Sequence, residues 1–249
     1  MSPDRGLTWH HLDSGLPLSM VGPSPVIESP LAILIHPRRP GTVFIGGERG
    51  VFGTQDHGLS WTQLTHKDDG SVEVMASDPS NPDRIYAGTR YGGVLITEDA
   101  GVSWRYALPS TGISAIAVDY ADPHQIFVGV HDFTTGRTGV MVSRDRGVTW
   151  TWISGLPLRD TPSAVAAHPI DTVRLYVASG TFNDAPYVTH LARARTAAAV
   201  SYNPMFASYL SVGKVGDLAL TPGGETIVAL SDAITRNIII ARAERIRRD

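Results

Sequence analysis

Apolar positions in this chain come in short runs, rich in Val, Ile, Thr and Phe and separated by Gly, Pro, Asp and Asn. Runs of that length and composition read as strands. They fall into groups. Residues 31–35, 42–45, 50–54 and 60–65 make the first, 72–76, 84–87, 93–97 and 103–108 the second, and 113–118, 125–130, 139–143 and 149–154 the third. Residues 163–167, 174–178 and 187–189 supply three strands of a fourth group, and 215–220, 226–230 and 237–241 three of a fifth. Residues 8–12 form one more strand at the start, and the Pro- and Ser-rich stretch 20–30 reads as a connection. Four-stranded antiparallel units repeated in this way predict an all-β fold.

An octapeptide marks the entry to the last strand of the first three groups and to the strand at 8–12. It reads Ser/Thr, any, Asp, any, Gly, any, Ser/Thr, Trp, and it occurs at 2–9, 54–61, 97–104 and 143–150. The hydroxyl and the carboxylate two positions on can both accept backbone N–H groups of a reversing chain. Gly at the fifth place tolerates positive φ, and Trp at the eighth opens the next strand with a large apolar body. Asp145 is thus expected to be the acceptor of a buried turn. The tryptophans Trp9, Trp61, Trp104 and Trp150 are committed to packing, which leaves only Trp152 over. Their steps of 52, 43 and 46 residues suit a four-stranded repeat.

The fourth group lacks the octapeptide, since Leu191, Arg193 and Thr196 fall where its Asp, Gly and Trp belong. The last group has three strands, and the first residues carry an octapeptide and one strand with nothing before it. Pairing 8–12 against 237–241 closes the ring and removes two exposed edges. The expectation is one domain over 1–249: a five-bladed β-propeller with blades at 31–65, 72–108, 113–154, 162–203 and 214–242, the last completed by 1–14. An open ring that self-associates through its edges is the alternative.

The octapeptide resembles the Asp-box, or BNR repeat, of sialidase-like, sortilin-like and photosystem II assembly factor-like propellers. That resemblance implies a propeller whose boxes lie on the blade periphery, away from a central pocket. Asp4, Asp56, Asp99 and Asp145 then look like turn supports rather than catalysts.

Composition narrows the function classes. A net charge of -3 and a pI near 6.3 give no general attraction to nucleic acid or anionic membrane. The absence of cysteine removes disulfides, thiolate chemistry and sulfur-based zinc sites. No apolar run is long enough for membrane insertion, and no signal peptide precedes the first octapeptide, so a soluble monomer is expected. It is cytoplasmic by default, or exported if a leader was removed.

Candidate chemistry concentrates in the connections between second and third strands, at 46–50, 89–92, 131–138, 180–186 and 231–236. These carry Glu48, Arg49, Arg90, Tyr91, His131, Asp132, Phe133, Arg137, Phe182, Asn183, Asp184, Asp232 and Arg236. Mixed aromatic and charged loops suit recognition. The expected function is non-catalytic binding or scaffolding, with a protein, peptide or glycan as partner. The alternative is a glycoside hydrolase using an acidic pair such as Asp132 and Asp184. A sialidase needs an arginine cluster, and no Arg-Ile-Pro segment stands near the start. No cofactor or metal is expected. His10 and His11 point to opposite faces of a strand, while His36 and His168 precede Pro in separate turns. The four arginines in 242–249 read as a solvated tail.

Overall fold

A computed structural model describes residues 4, 6–8, 10–21, 24–27, 30–66, 69–154, 156, 161–167, 174–179, 187–192, 213–220, 226–232 and 238–242. Two compact units divide the chain, 1–106 and 107–249.

In the first unit, β1 (Leu18–Val21) and β2 (Ser24–Ile27) form a hairpin. A four-stranded sheet follows, β3 (Ala32–Ile35), β4 (Val43–Gly47), β5 (Gly50–Thr54) and β6 (Thr62–Gln63). Next comes a second, β7 (Val72–Ser77), β8 (Ile85–Thr89), β9 (Val94–Thr97) and β10 (Arg105–Ala107). The second unit holds a third four-stranded sheet, β11 (Thr111–Val118), β12 (Ile126–Asp132), β13 (Thr138–Ser143) and β14 (Thr151–Trp152). Two three-stranded sheets complete it: β15 (Ala164–Ala167), β16 (Arg174–Ser179) and β17 (Tyr187–Ala192), then β18 (Gly213–Leu220), β19 (Thr226–Asp232) and β20 (Ile238–Arg242). Sequential neighbours pair antiparallel in each.

The cores lie between successive sheets. Phe44 and Val51 of the first sheet meet Val72, Ile85, Ala87 and Leu95 of the second, with Leu34, Leu64, Met75 and Trp104 packed around them. In the second unit Phe127, Val140 and Val142 of the third sheet meet Val165, Leu175 and Val177 of the fourth. Burying such side chains at ~25 cal/mol per Å² is what binds sheet to sheet.

Three expectations change. Residues 10–13 are not a strand, so no fourth strand from the N-terminus completes the β18–β20 sheet among the described residues. The segment is instead tied to Trp61, whose indole N–H donates to Leu12 O at 2.9 Å and whose backbone N–H donates to Ser14 O at 2.8 Å. Gly15 permits this approach, because at its φ of +91° a Cβ would stand 2.2 Å from the Trp61 carbonyl oxygen. Second, the stretch expected as a connection overlaps the β1–β2 hairpin, with Pro25 inside a strand that pairs only with β1 among the described residues. Third, His131 and Asp132 belong to β12 rather than to a loop. Trp9 and the segments 193–212 and 243–249 lie outside the described residues.

The octapeptide closes the third-to-fourth strand turn by a repeated net. Thr97 Oγ1 accepts the Gly101 N–H at 2.9 Å and donates to Asp99 Oδ1 at 2.6 Å. Asp99 also receives the Ser103 N–H at 2.9 Å and the Ser103 hydroxyl at 2.6 Å. The same bonds join Thr54, Asp56, Gly58 and Ser60, and again Ser143, Asp145, Gly147 and Thr149. Asp4 takes the Thr8 N–H and hydroxyl at 2.7 and 2.6 Å. The buried acceptor is therefore the first-position hydroxyl, whereas the Asp partners are exposed, a correction to the role given Asp145.

A fourth-position residue adds a bond that crosses to the next turn. His57, Ala100 and Arg146 sit at φ of 63°, 57° and 58°. Their N–H groups thereby reach Gly41 O at 3.0 Å, Asp83 O at 2.8 Å and His124 O at 3.1 Å. These acceptors belong to the first-to-second strand turns, which carry their own brace. His36 Nδ1, Asp78 Oδ1 and Asp119 Oδ1, at one repeat position, accept the N–H two residues on, from Arg38, Ser80 and Ala121. With Nδ1 accepting, His36 donates from Nε2 to Asp83, 2.9 Å away.

Two outcomes test this net. Ser143→Ala strands the buried Gly147 N–H and should cost about 1–3 kcal/mol; Asp145→Ala, whose donors meet water, should cost less, as urea titration will show. The hydroxyl of Ser103 foremost holds Asp99 at about 2, and that of Thr149 holds Asp145 at about 2, against an ordinary 3.8. A folded pKa below the unfolded one gives stability that is full above the unfolded value and drains as pH falls toward the folded one. The urea midpoint should be level from neutrality to about pH 5 and should fall below about pH 4.

Candidate functional site

Because octapeptides and first-to-second strand turns share one end of each sheet, the second-to-third strand turns emerge at the other. The former end is fixed by the net just described, so chemistry that varies from sheet to sheet belongs to the latter.

In the first unit, Arg49 lies in the tight β4–β5 turn, where its carbonyl accepts the Gln63 side-chain amide at 2.8 Å. The β8–β9 turn is clamped by Thr89. Its hydroxyl accepts the Gly92 N–H at 2.8 Å and donates to Gly93 O at 3.0 Å. Arg90 pairs through Nε with the Glu73 carboxylate, and that hydrogen bond, first among its causes, raises the guanidinium pKa. Tyr91 stands outward from this rigid turn, 65% exposed. The neighbouring sheets pack through β3 and β7, so Arg49, Arg90 and Tyr91 share one end of one packed pair.

In the second unit the β12–β13 turn spans 133–137. Asp132 governs it, with Oδ1 taking the Thr134 N–H at 2.9 Å and the Thr135 N–H at 3.3 Å, and Oδ2 taking the Thr135 hydroxyl at 2.7 Å. The Thr135 hydroxyl above all, then the Thr134 N–H, lower its pKa, so the group is a carboxylate near neutrality. Gly136 N–H bonds Asp132 O at 2.8 Å. Outside the turn, Arg137 lies over the Trp152 ring at 4.1 Å, and the His131 and Phe133 rings meet at 4.7 Å and 48°. Phe133 keeps 49% of its surface exposed. Phe182 and Asp184 lie outside the described residues, as does the rest of 180–186.

Sequence reading missed one partner in each unit. Trp152 was legible only as the tryptophan outside the octapeptides; it serves as the platform for Arg137. Glu73, on β7, gave no local signal of its pairing with Arg90 across strands. At the opposite end of the first unit a cleft of about 430 Å³ is lined by Arg39, Phe44, Gln55, Asp56, Thr62 and Val102. Its acid, Asp56, is engaged in its own turn. Among the described residues no group of three or more His, Asp or Glu could hold a metal ion, and no helix is long and apolar enough to cross a membrane.

Antiparallel four-stranded sheets and likeness to solved propellers make this an all-β protein of β-propeller fold. No family model matches the chain. Its sequence is 30% identical over 93 residues to an oligoxyloglucan-reducing end-specific xyloglucanase of Emericella nidulans, a match covering 34% of this chain and 11% of that protein. In structure it is similar to an ancestral GH74 enzyme (TM-score 0.62, 18% identity, 94% of this chain and 31% of that one). It is also similar to the GH74 xyloglucanase of Xanthomonas campestris (0.63, 15%, 86% and 38%) and to YCF48 bound to D1 peptide (0.54, 14%, 88% and 67%). The chain thus spans about a third of the GH74 structures' length.

If Asp132 holds its turn, Asp132→Ala should speed amide exchange at Thr134 and Thr135 by about tenfold or more, with little change in the global melt. Residue-resolved hydrogen exchange checks both.

Proposed function

We propose that this chain is a non-catalytic recognition module, a five-sheet Asp-box propeller of one domain that binds glycan on its second-to-third strand turns. The observation that carries the reading is a clamped turn in each unit, taken by itself, that presents an exposed aromatic ring: Tyr91 in the first and Phe133 in the second. Aromatic faces stack on the apolar faces of sugars, and a rigid mount lowers the entropy lost on binding. Arg49, Arg90, His131 and Arg137 are the proposed polar contacts, with Phe182 and Asp184 from the next turn, while Asp132 is a positioning residue. The partial likeness to a xyloglucanase supports glycan over peptide as the ligand class.

The hydrolytic alternative needs one carboxylic acid able to give a proton to a leaving group. Asp132, held as a carboxylate by three donors of its own turn, is poorly suited to that role. Calorimetric titration with xyloglucan oligosaccharides, alongside a glycan and peptide array, tests the proposal. Tyr91→Ala and Phe133→Ala should each weaken glycan binding about tenfold, the equivalent of about 1.4 kcal/mol. Unchanged affinity in both variants would overturn the choice of surface, peptide-only binding the choice of ligand, and release of reducing sugar the non-catalytic reading.

A further inference from the structure

One brace of the first-to-second strand turns is built from a side chain that changes charge under mild acid. Where the second and third sheets carry Asp78 and Asp119, the first carries His36, which is only 5% exposed. Each carboxylate accepts two N–H groups, from the residues two and three places on. His36 accepts the Arg38 N–H at 3.2 Å, and it can do so only while Nδ1 keeps its lone pair. Histidine takes up its proton between about pH 5 and 8, well above the range of carboxylates. A proton on Nδ1 sets two N–H groups against each other across that short gap. Of these three turns, the first sheet's is therefore the one that a modest fall in pH unlatches.

The charged groups around the ring all belong to the first unit. On its far side Nε2 meets Asp83 Oδ1 at 2.9 Å, and Asp83 Oδ2 takes the Arg39 guanidinium at 2.6 Å. Arg84, next to Asp83 in sequence, is committed to Asp78 at 2.8 Å and Glu98 at 3.4 Å. The His57 ring, from the octapeptide at 54–61, packs on the same turn, where a Cβ on Gly41 would stand 2.9 Å from it. A protonated His36 makes the Asp83 contact charge-assisted. That gain at Nε2 offsets the loss at Nδ1, so the change is a local opening rather than a global loss of stability.

The turn has a wall to move. Its Thr42 N–H donates to Arg39 O at 3.0 Å, and both residues line the cleft of about 430 Å³ at this end of the unit. We propose that His36 is a pH-sensitive latch on that wall. Neutral, it holds residues 36–42 closed; protonated at Nδ1, it releases the Arg38 N–H and loosens the segment that carries Arg39 and Thr42, while Asp83 keeps the ring in place.

Residue-resolved amide exchange on the full chain, from about pH 8 to about pH 5.5, tests this. Ser80 and Ala121 serve as references, because carboxylates hold their N–H groups throughout that range. Exchange at Arg38 relative to Ser80 should rise about tenfold on acidification, and exchange at Thr42 should rise with it. The midpoint of the rise should coincide with the pH at which two-bond proton–nitrogen spectra show the His36 ring gaining its second proton. His36→Asn, whose side-chain oxygen takes the same N–H without titrating, should hold the ratio level, and His57→Asn should leave the rise intact. A level ratio in the parent, an equal rise at Ala121, or a rise kept in His36→Asn or lost in His57→Asn overturns the proposal. A rise at Arg38 that leaves Thr42 unmoved overturns the link to the cleft wall. Should His36→Asn not fold, the two midpoints in the parent decide, and a mismatch between them overturns the latch.

Discussion

The bond on which this structure depends joins a buried Ser or Thr hydroxyl to the N–H of a glycine four residues on. At Thr54, Thr97 and Ser143 it satisfies a buried turn donor, and an unsatisfied buried N–H is among the costlier defects a fold can carry. Once that donor is satisfied, the third and fourth strands are fixed in register, and the carboxylate two places on has only to gather the exposed donors. The left-handed residue between them then points its own N–H at the adjoining turn. Two turn types are thereby coupled at one end of each of the first three four-stranded sheets by bonds that ask nothing of the side chains at the other.

That asymmetry explains where variation is tolerated. At the braced end the positions are chemically narrow: hydroxyl, acid, glycine, tryptophan, and an acceptor at His36, Asp78 or Asp119. Imidazole stands in for carboxylate at that last place by accepting the N–H two residues on, whereas Asp78 and Asp119 also accept the N–H three residues on. At the other end the turn lengths differ from sheet to sheet, and each turn solves its own closure: Thr89 by its hydroxyl, Asp132 by its carboxylate. Each solution leaves an exposed aromatic ring on the turn, Tyr91 in one and Phe133 in the other.

Much of this was legible in the sequence, because the determinants are local. Strand places, the octapeptide and the separation of the two turn sets all rest on residues within a few positions of one another, as with the run 84–87 that the structure extends to Ile85–Thr89. The failures share a different cause. Residues 8–12 look like a strand, yet the partner that fixes Leu12 and Ser14 is Trp61, far along the chain. Pro25 hid β2 because proline usually forbids a central strand and does not forbid a strand with one neighbour. The pairing of Arg90 with Glu73 and the stacking of Arg137 on Trp152 arise from cross-strand proximity, which no short motif encodes.

The same physics changes how the acids of this chain should be counted. A turn aspartate beside aromatic rings invites a catalytic reading. Yet Asp56, Asp78, Asp99, Asp119, Asp132 and Asp145 all accept backbone N–H groups within four residues of themselves. A carboxylate so placed is stabilised in its charged form, which suits it to organise a turn and makes it a poor proton donor. Asp78 and Asp119 are buried, and Asp132 is not. Its chemistry is that of the turn-forming acids, and what it contributes is closure of the turn that carries Phe133.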